Sequence, residues 1–149
     1  MWVFVYTREA HPGENVPCHD SLESKLAGAR LLGEEAGIGR EILVDDLDGK
    51  VHRAFGLMPN MTWVIGRGGR VAYKANWTSA ANVEAFLGRF LAGQAGHPPG
   101  TSPVMYETQQ AEFRYTDRQR FMQDLLRSGP RAVAEFEKAQ QLWAERAAT

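Results

Sequence analysis

Phe4-Val5-Tyr6-Thr7-Arg8-Glu9-Ala10-His11 is the stretch whose reading decides the fold. Trp2–Tyr6 is continuously apolar and rich in β-formers, the pattern of a buried strand in a parallel sheet. The run stops abruptly, and charged and titratable side chains follow at once. From His11 to His19 the chain holds Pro12, Gly13, Asn15 and Pro17, which mark a loop. Asp20 suits a helix N-cap, and Glu23 three residues on completes a capping box. Leu22, Leu26, Ala29 and Leu32 or Gly33 then recur at helical spacing, so an amphipathic helix is expected over about 21–36. Gly37 and Gly39 stop it.

Further along, Ile42-Leu43-Val44 is a short strand closed by Asp45-Asp46. Asp48-Gly49 signals a turn. Val51, Ala54 and Phe55 suit one or two helical turns, with His52 expected on the solvent side. After Pro59 comes the strand Thr62–Ile65, a turn over 66–69 and a returning strand at Val71-Ala72-Tyr73. Ser79 can cap a helix whose apolar face holds Val83, Phe86, Leu87, Phe90 and Leu91. Residues 93–104 are rich in Gly and Pro and read as a linker, with His97 incidental within it. Two more helices are expected over 105–149. Phe113, Phe121, Met122, Leu125 and Leu126 mark the first, and Thr116-Asp117 starts its regular part. Pro130 opens the second, which is striped by Ala132, Val133, Phe136, Ala139 and Trp143.

The 149 residues are enough for one domain with a core. With 17 basic and 18 acidic side chains there is no electrostatic footprint for nucleic acid or an anionic membrane. Trp2–Tyr6 is too short for a signal segment or a bilayer span, so the default compartment is the cytoplasm. A single cysteine excludes an internal disulfide and a Cys-x-x-Cys pair.

Four blocks together resemble the iodothyronine deiodinase-like and peroxiredoxin-like redoxins of the thioredoxin superfamily. They are the strand with Glu9-Ala10-His11-Pro12; His19-Asp20-Ser21-Leu22-Glu23 opening a helix; Leu43–Asp46 with Ala54-Phe55-Gly56; and Trp63-Val64-Ile65 with Gly69 and Val71–Tyr73. The resemblance covers about residues 2–92. It implies an α/β, thioredoxin-like domain over 1–92 with a β-α-β-β-α core, followed by the linker 93–104 and the two-helix extension 105–149. In that fold the chalcogen nucleophile, cysteine or selenocysteine, lies on a strand-helix unit ahead of the strand at Val3–Tyr6. The strand of that unit runs between those matching Val3–Tyr6 and Thr62–Ile65. Residues 1–149 do not include it, so the domain is expected to be incomplete, and little or no turnover is expected from this chain alone. A selenocysteine codon read as a stop would leave such a chain, and the DNA ahead of Met1 tests that expectation.

By the resemblance, His11 matches the catalytic-side His, Glu9 its orienting carboxylate and His19 a second proton-relay residue. Pro59 stands where thioredoxins keep a cis-proline, and Trp77 is a candidate pocket residue. Asn60 and Trp77 replace the Glu and Arg implied to clamp a thyroid hormone, which argues against that substrate. The expected chemistry is thiol- or selenol-dependent reduction, either reductive dehalogenation or peroxide or disulfide reduction, on a small-molecule substrate with a thiol reductant. A proton must reach the leaving group, and a His beside a carboxylate supplies one near neutral pH. No cofactor and no metal is expected.

Several residues keep two readings. Cys18, beside His19 and just ahead of a helix, is a candidate redox thiol, since both neighbours favour a thiolate; the alternative is an inert loop cysteine. Asp45 and Asp46 resemble paired carboxylates but stand where Asp closes a strand before a turn. Phe86 and Phe90 are expected in the core. A second function class stays open: a non-catalytic thioredoxin-like binding or interaction module, with a homodimer of swapped strands as one way to fill the sheet. A stable monomer with a closed sheet would favour the module; an obligate dimer would favour swapping.

Overall fold

The structure is a computed structural model, and it describes residues 1–96 and 116–148. It is a mixed α/β chain with two short sheets and five helices among the described residues. In order these are β1 (Phe4–Tyr6), α1 (Leu22–Glu35), β2 (Ile42–Val44), α2 (Lys50–Ala54), β3 (Thr62–Ile65), β4 (Val71–Ala75), α3 (Ala80–Ala95), α4 (Arg118–Arg127) and α5 (Pro130–Ala147). They group into two compact units. One holds Met1–Leu57 with Tyr115–Thr149, and the other Met58–Arg114. The sequence boundary at 92/93 differs from this grouping: α3 runs on through Gly93 to Ala95, and α4 and α5 join the N-terminal elements. Residues 97–104 of the expected linker, with His97, and Phe113 lie outside the described residues.

In the first unit β1 and β2 pair in parallel, Phe4 with Ile42, Val5 with Leu43 and Tyr6 with Val44. Helix α1 starts one residue later than its cap signal suggested. Ser21, not Asp20, is the N-cap: its hydroxyl accepts from Ser24 N at 3.2 Å, and the box closes through Ser24 rather than Glu23. The buried face of α1 is also not the leucine stripe. Lys25 (2 % exposed) and Ala29 are buried, with Gly28 and Gly33 half-buried, while Leu22, Leu26, Leu31 and Leu32 are exposed. Close approach is the reason, since a Cβ at Gly33 would already sit 3.1 Å from Ile42 Cδ1. Lys25 Nζ donates to Asp46 O at 2.7 Å, which satisfies the buried ammonium and ties α1 to the loop after β2.

That loop explains Asp45 and Asp46. The N-cap of α2, Gly49, has no side chain to cap with, and the two carboxylates take its place. Asp45 accepts from Asp46 N, Val51 N and His52 N at 2.8–2.9 Å, and Asp46 from Lys50 N at 2.9 Å. The structural reading of the pair is the one the geometry supports. His52, expected in solvent, is buried instead, because this capping turns its residue inward.

The helical pair follows its sequence signals. Asp117 caps α4 by accepting from Arg120 N at 3.0 Å, and Pro130 occupies the first turn of α5. Leu125 and Ala132 are buried, and Phe121 packs on Phe136 with ring centroids 4.9 Å apart.

In the second unit β3 and β4 form an antiparallel hairpin, Thr62 opposite Ala75 and Val64 opposite Tyr73. Ser79 caps α3 through Asn82 N. Tyr73, Phe86 and Phe90 stack in series at 4.8 and 5.4 Å, which places both phenylalanines in the packing as expected. The peptide before Pro59 is not cis, as no cis bond occurs among the described residues.

Candidate active site

The loop between β1 and α1 carries four of the sequence candidates, and the structure divides them into two groups. The first forms at the carboxyl end of β1. Tyr6, the last residue of the strand, is buried and donates its hydroxyl hydrogen to Glu9 Oε1. The same phenol oxygen lies 2.8 Å from His19 Nε2, and Glu9 Oε1 is 3.8 Å from that nitrogen. The hydrogen bonds assign the tautomer. With its own hydrogen given to Glu9, the Tyr6 oxygen accepts, so His19 carries a hydrogen on Nε2. The His19 side chain is 8 % exposed, and its Nδ1 is buried without a hydrogen-bond partner.

Helix α1 sets this geometry. Gly28 faces the cluster, and a Cβ there would lie 2.6 Å from Tyr6 Oη and 2.8 Å from His19 Cε1. Burial, then the hydrogen bond to Glu9 and its negative charge, push the Tyr6 phenol well above its ordinary pKa, so it stays a neutral donor. On α2's side, burial penalises the Asp45 charge, but the N–H groups of His52, Val51 and Asp46 outweigh it and hold the carboxyl below its ordinary value. Asp45 is thereby fully occupied as a cap and outside the proton chemistry.

The second group centres on His11. Its ring stands edge-on to Phe121 (5.8 Å, 84°) and Phe136 (5.5 Å, 87°), both from the helical pair. His11 and Cys18 line one cleft of about 750 Å³ with Pro12, Pro17, Arg131, Glu135, Phe136, Ala139 and Trp143. Cys18 is a free, exposed thiol. Glu9, assigned to orient His11, has its hydrogen-bonding oxygen turned to Tyr6 and His19 instead.

The turn between α4 and α5 clamps this loop. Asn15 N donates to Ser128 O and Asn15 Nδ2 to Arg127 O, both at 2.9 Å. Gly129, the N-cap of α5, has no side chain, and the Glu14 carboxylate caps for it by accepting from Arg131 N at 3.1 and 3.2 Å. The contact needs glycine on both sides. A Cβ at Gly13 would fall on the Ser128 carbonyl, and one at Gly129 (φ +119) would lie 2.8 Å from Glu14 N.

The chain matches no known protein-family model, no curated protein and no solved structure.

Pro59 and Trp77 belong to the second unit, where Trp77 is 44 % exposed and forms an isolated bridge with Asn60. Among the described residues no group of three His, Cys, Asp or Glu side chains could hold a metal, and no helix is long and apolar enough to cross a membrane. Sequence reasoning missed Tyr6 as a site residue. Its signal was a hydroxyl at the end of an apolar strand three residues before Glu9. It also missed Phe121, Phe136 and Arg131, which lie more than a hundred residues from His11 and have no local signature.

Proposed function

We propose that the chain carries the proton-handling side of a thiol- or selenol-dependent reductive site in a thioredoxin-like domain of the deiodinase-like redoxin type. The observation that supports it is the Tyr6–Glu9–His19 cluster, a hydrogen-bonded acid/base relay at the carboxyl end of a parallel strand. In the reaction class this implies, a chalcogenolate attacks the substrate, the bond to the leaving atom breaks, and the leaving group takes a proton. His19, paired with Glu9, supplies that proton, and an external thiol returns the oxidised chalcogen to its starting state. His11 is a second acid/base group, held edge-on by two phenylalanines. Residues 1–149 contain one thiol, Cys18, so turnover by this chain alone is expected to be low.

Two measurements test the reading. The first is the sequence of the coding DNA ahead of Met1, read for an in-frame strand-helix unit with a cysteine or a TGA codon. A protein including that unit is expected to reduce peroxide or remove halogen with a thiol reductant, and His19→Ala to cost on the order of 10²–10⁴-fold in rate. Robust turnover by residues 1–149 that survives Cys18→Ser contradicts the proposal.

A second reading, a binding module without turnover, has its own support. Phe4, Val5 and Leu43 of the β1–β2 sheet and four leucines of α1 are exposed, an apolar surface suited to a partner or a second copy. Oligomeric state and the upstream sequence separate the two: a monomer with no upstream redox unit favours the module.

A further inference from the structure

We propose that the cleft between the 10–18 loop and α5 binds a monocarboxylate with an aromatic, aryl-alkyl body. Arg131, Glu135, Ala139 and Trp143 line it at four-residue spacing, so they form one row along the helix. At ~1.5 Å per residue that row is roughly 18 Å long, with a cation at one end and an indole at the other. Phe136 flanks the row, and Pro12 and Pro17 form the facing wall. The volume of about 750 Å³ is that of an organic ligand rather than an ion.

The charges select the ligand. Arg131 uses its backbone N–H on Glu14, but its guanidinium has no carboxylate partner among the described residues. A planar donor fork beside an apolar wall favours a carboxylate, which it meets with two parallel hydrogen bonds. Glu135, one turn further on and likewise without an ion-pair partner among the described residues, repels a second negative charge, so a phosphate dianion is disfavoured. The body then runs over Phe136 and Ala139 towards Trp143, and Cys18 lies beside the cleft as a built-in reporter. Occupancy of the cleft is independent of turnover, so this inference stands or falls apart from the redox reading.

The test uses the full chain 1–149 and isothermal titration with 4-phenylbutyrate, its neutral amide and 3-phenylpropyl phosphate. The carboxylate is expected to bind about tenfold more tightly than the amide or the phosphate. Arg131→Gln should erase the preference for carboxylate over amide while leaving amide affinity within about twofold, since the charge-assisted bonds alone are lost. Glu135→Gln should admit the phosphate, and saturating carboxylate should slow alkylation of Cys18 by iodoacetamide severalfold. Equal affinity for carboxylate and amide, a preference that survives Arg131→Gln, phosphate bound as tightly as carboxylate by the unaltered chain, or an unchanged alkylation rate at saturation each overturns the proposal.

Discussion

Gly28→Ala puts two effects of opposite sign in one side chain. In the middle of α1 an alanine is worth ~1 kcal/mol more than glycine through helix propensity, so an open site would be stabilised. This site is not open. The new methyl would lie 2.6 Å from Tyr6 Oη and 2.8 Å from His19 Cε1, and both groups are fixed by the bonds that join them to each other and to Glu9. Overpacking costs about 1–3 kcal/mol, and a buried polar pair forced apart costs about 1–3 kcal/mol more. The steric and polar losses outweigh the propensity gain, and urea unfolding should show a net loss of about 1–5 kcal/mol. A tyrosine titration followed by ultraviolet absorbance gives the second readout, with Tyr6→Phe identifying the Tyr6 signal. The Tyr6 pKa is raised in the fold, so its stabilising contribution is present below the unfolded value near ~10 and is lost as pH rises beyond it. In Gly28→Ala the Tyr6 signal should fall towards the ordinary phenol range and that alkaline loss should shrink. A variant stabilised by about 1 kcal/mol, with Tyr6 titrating as before, would refute the packing of α1 on the relay.

Three further outcomes are expected. Asp45→Asn should cost about 1–3 kcal/mol, because a neutral acceptor replaces a buried carboxylate that takes three N–H donors. The Asp45 pKa is lowered in the fold, so its contribution is present above the unfolded value near ~4 and lost as pH falls through the folded one; the variant's stability should vary less over that acid range, and an unchanged acid slope rules the cap out. Glu14→Ala should remove about 0.5–2 kcal/mol and release the Arg131 amide to faster hydrogen exchange, where undiminished protection would contradict the cap seen from Glu14. Light scattering on the eluted chain should show self-association that Leu43→Lys reduces, since Leu43 is exposed in a two-stranded sheet; a monodisperse monomer at tens of micromolar would count against a second copy as the occupant of that face.

Local signals in the sequence located every element among the described residues, because caps, turns and strand-forming runs act over a few residues. Ser79, Asp117 and Pro130 each mark a helix start that the structure keeps. What periodicity alone did not show is which side of α1 would be covered. Leucines at helical spacing ordinarily mean a core face, but contact with β2 and Tyr6 selects the side of the small residues Gly28, Ala29 and Gly33, which also holds the buried Lys25. The same difference of range applies to the site. Glu9, His11 and His19 stand out as titratable residues around a strand end, whereas their division into two clusters depends on Tyr6 and on aromatic rings from helices far along the chain.

The helical pair is therefore part of the candidate site rather than an appendage. Few apolar side chains are buried among the described residues of the first unit: Tyr6, Ala29, Leu125 and Ala132. Two of those four come from α4 and α5. A loop rich in proline and glycine, with a core that small beneath it, has little of its own to hold it in one conformation. What it has instead is a set of directional bonds with the α4–α5 turn, two from Asn15 and one from Arg131 N to the Glu14 carboxylate, and the close approach of Gly13 to Ser128 and of Gly129 to Glu14. These fix the loop between its two clusters, Tyr6–Glu9–His19 on one side and His11 against Phe121 and Phe136 on the other. Glu14 bears on both, since the residue that completes the first turn of α5 is also the one that sets the loop. Loss of the α5 cap should thus reach the relay without any contact between Glu14 and Tyr6, whereas loss of the relay through Gly28 should leave α5 capped. That asymmetry follows from a loop anchored by the helical pair.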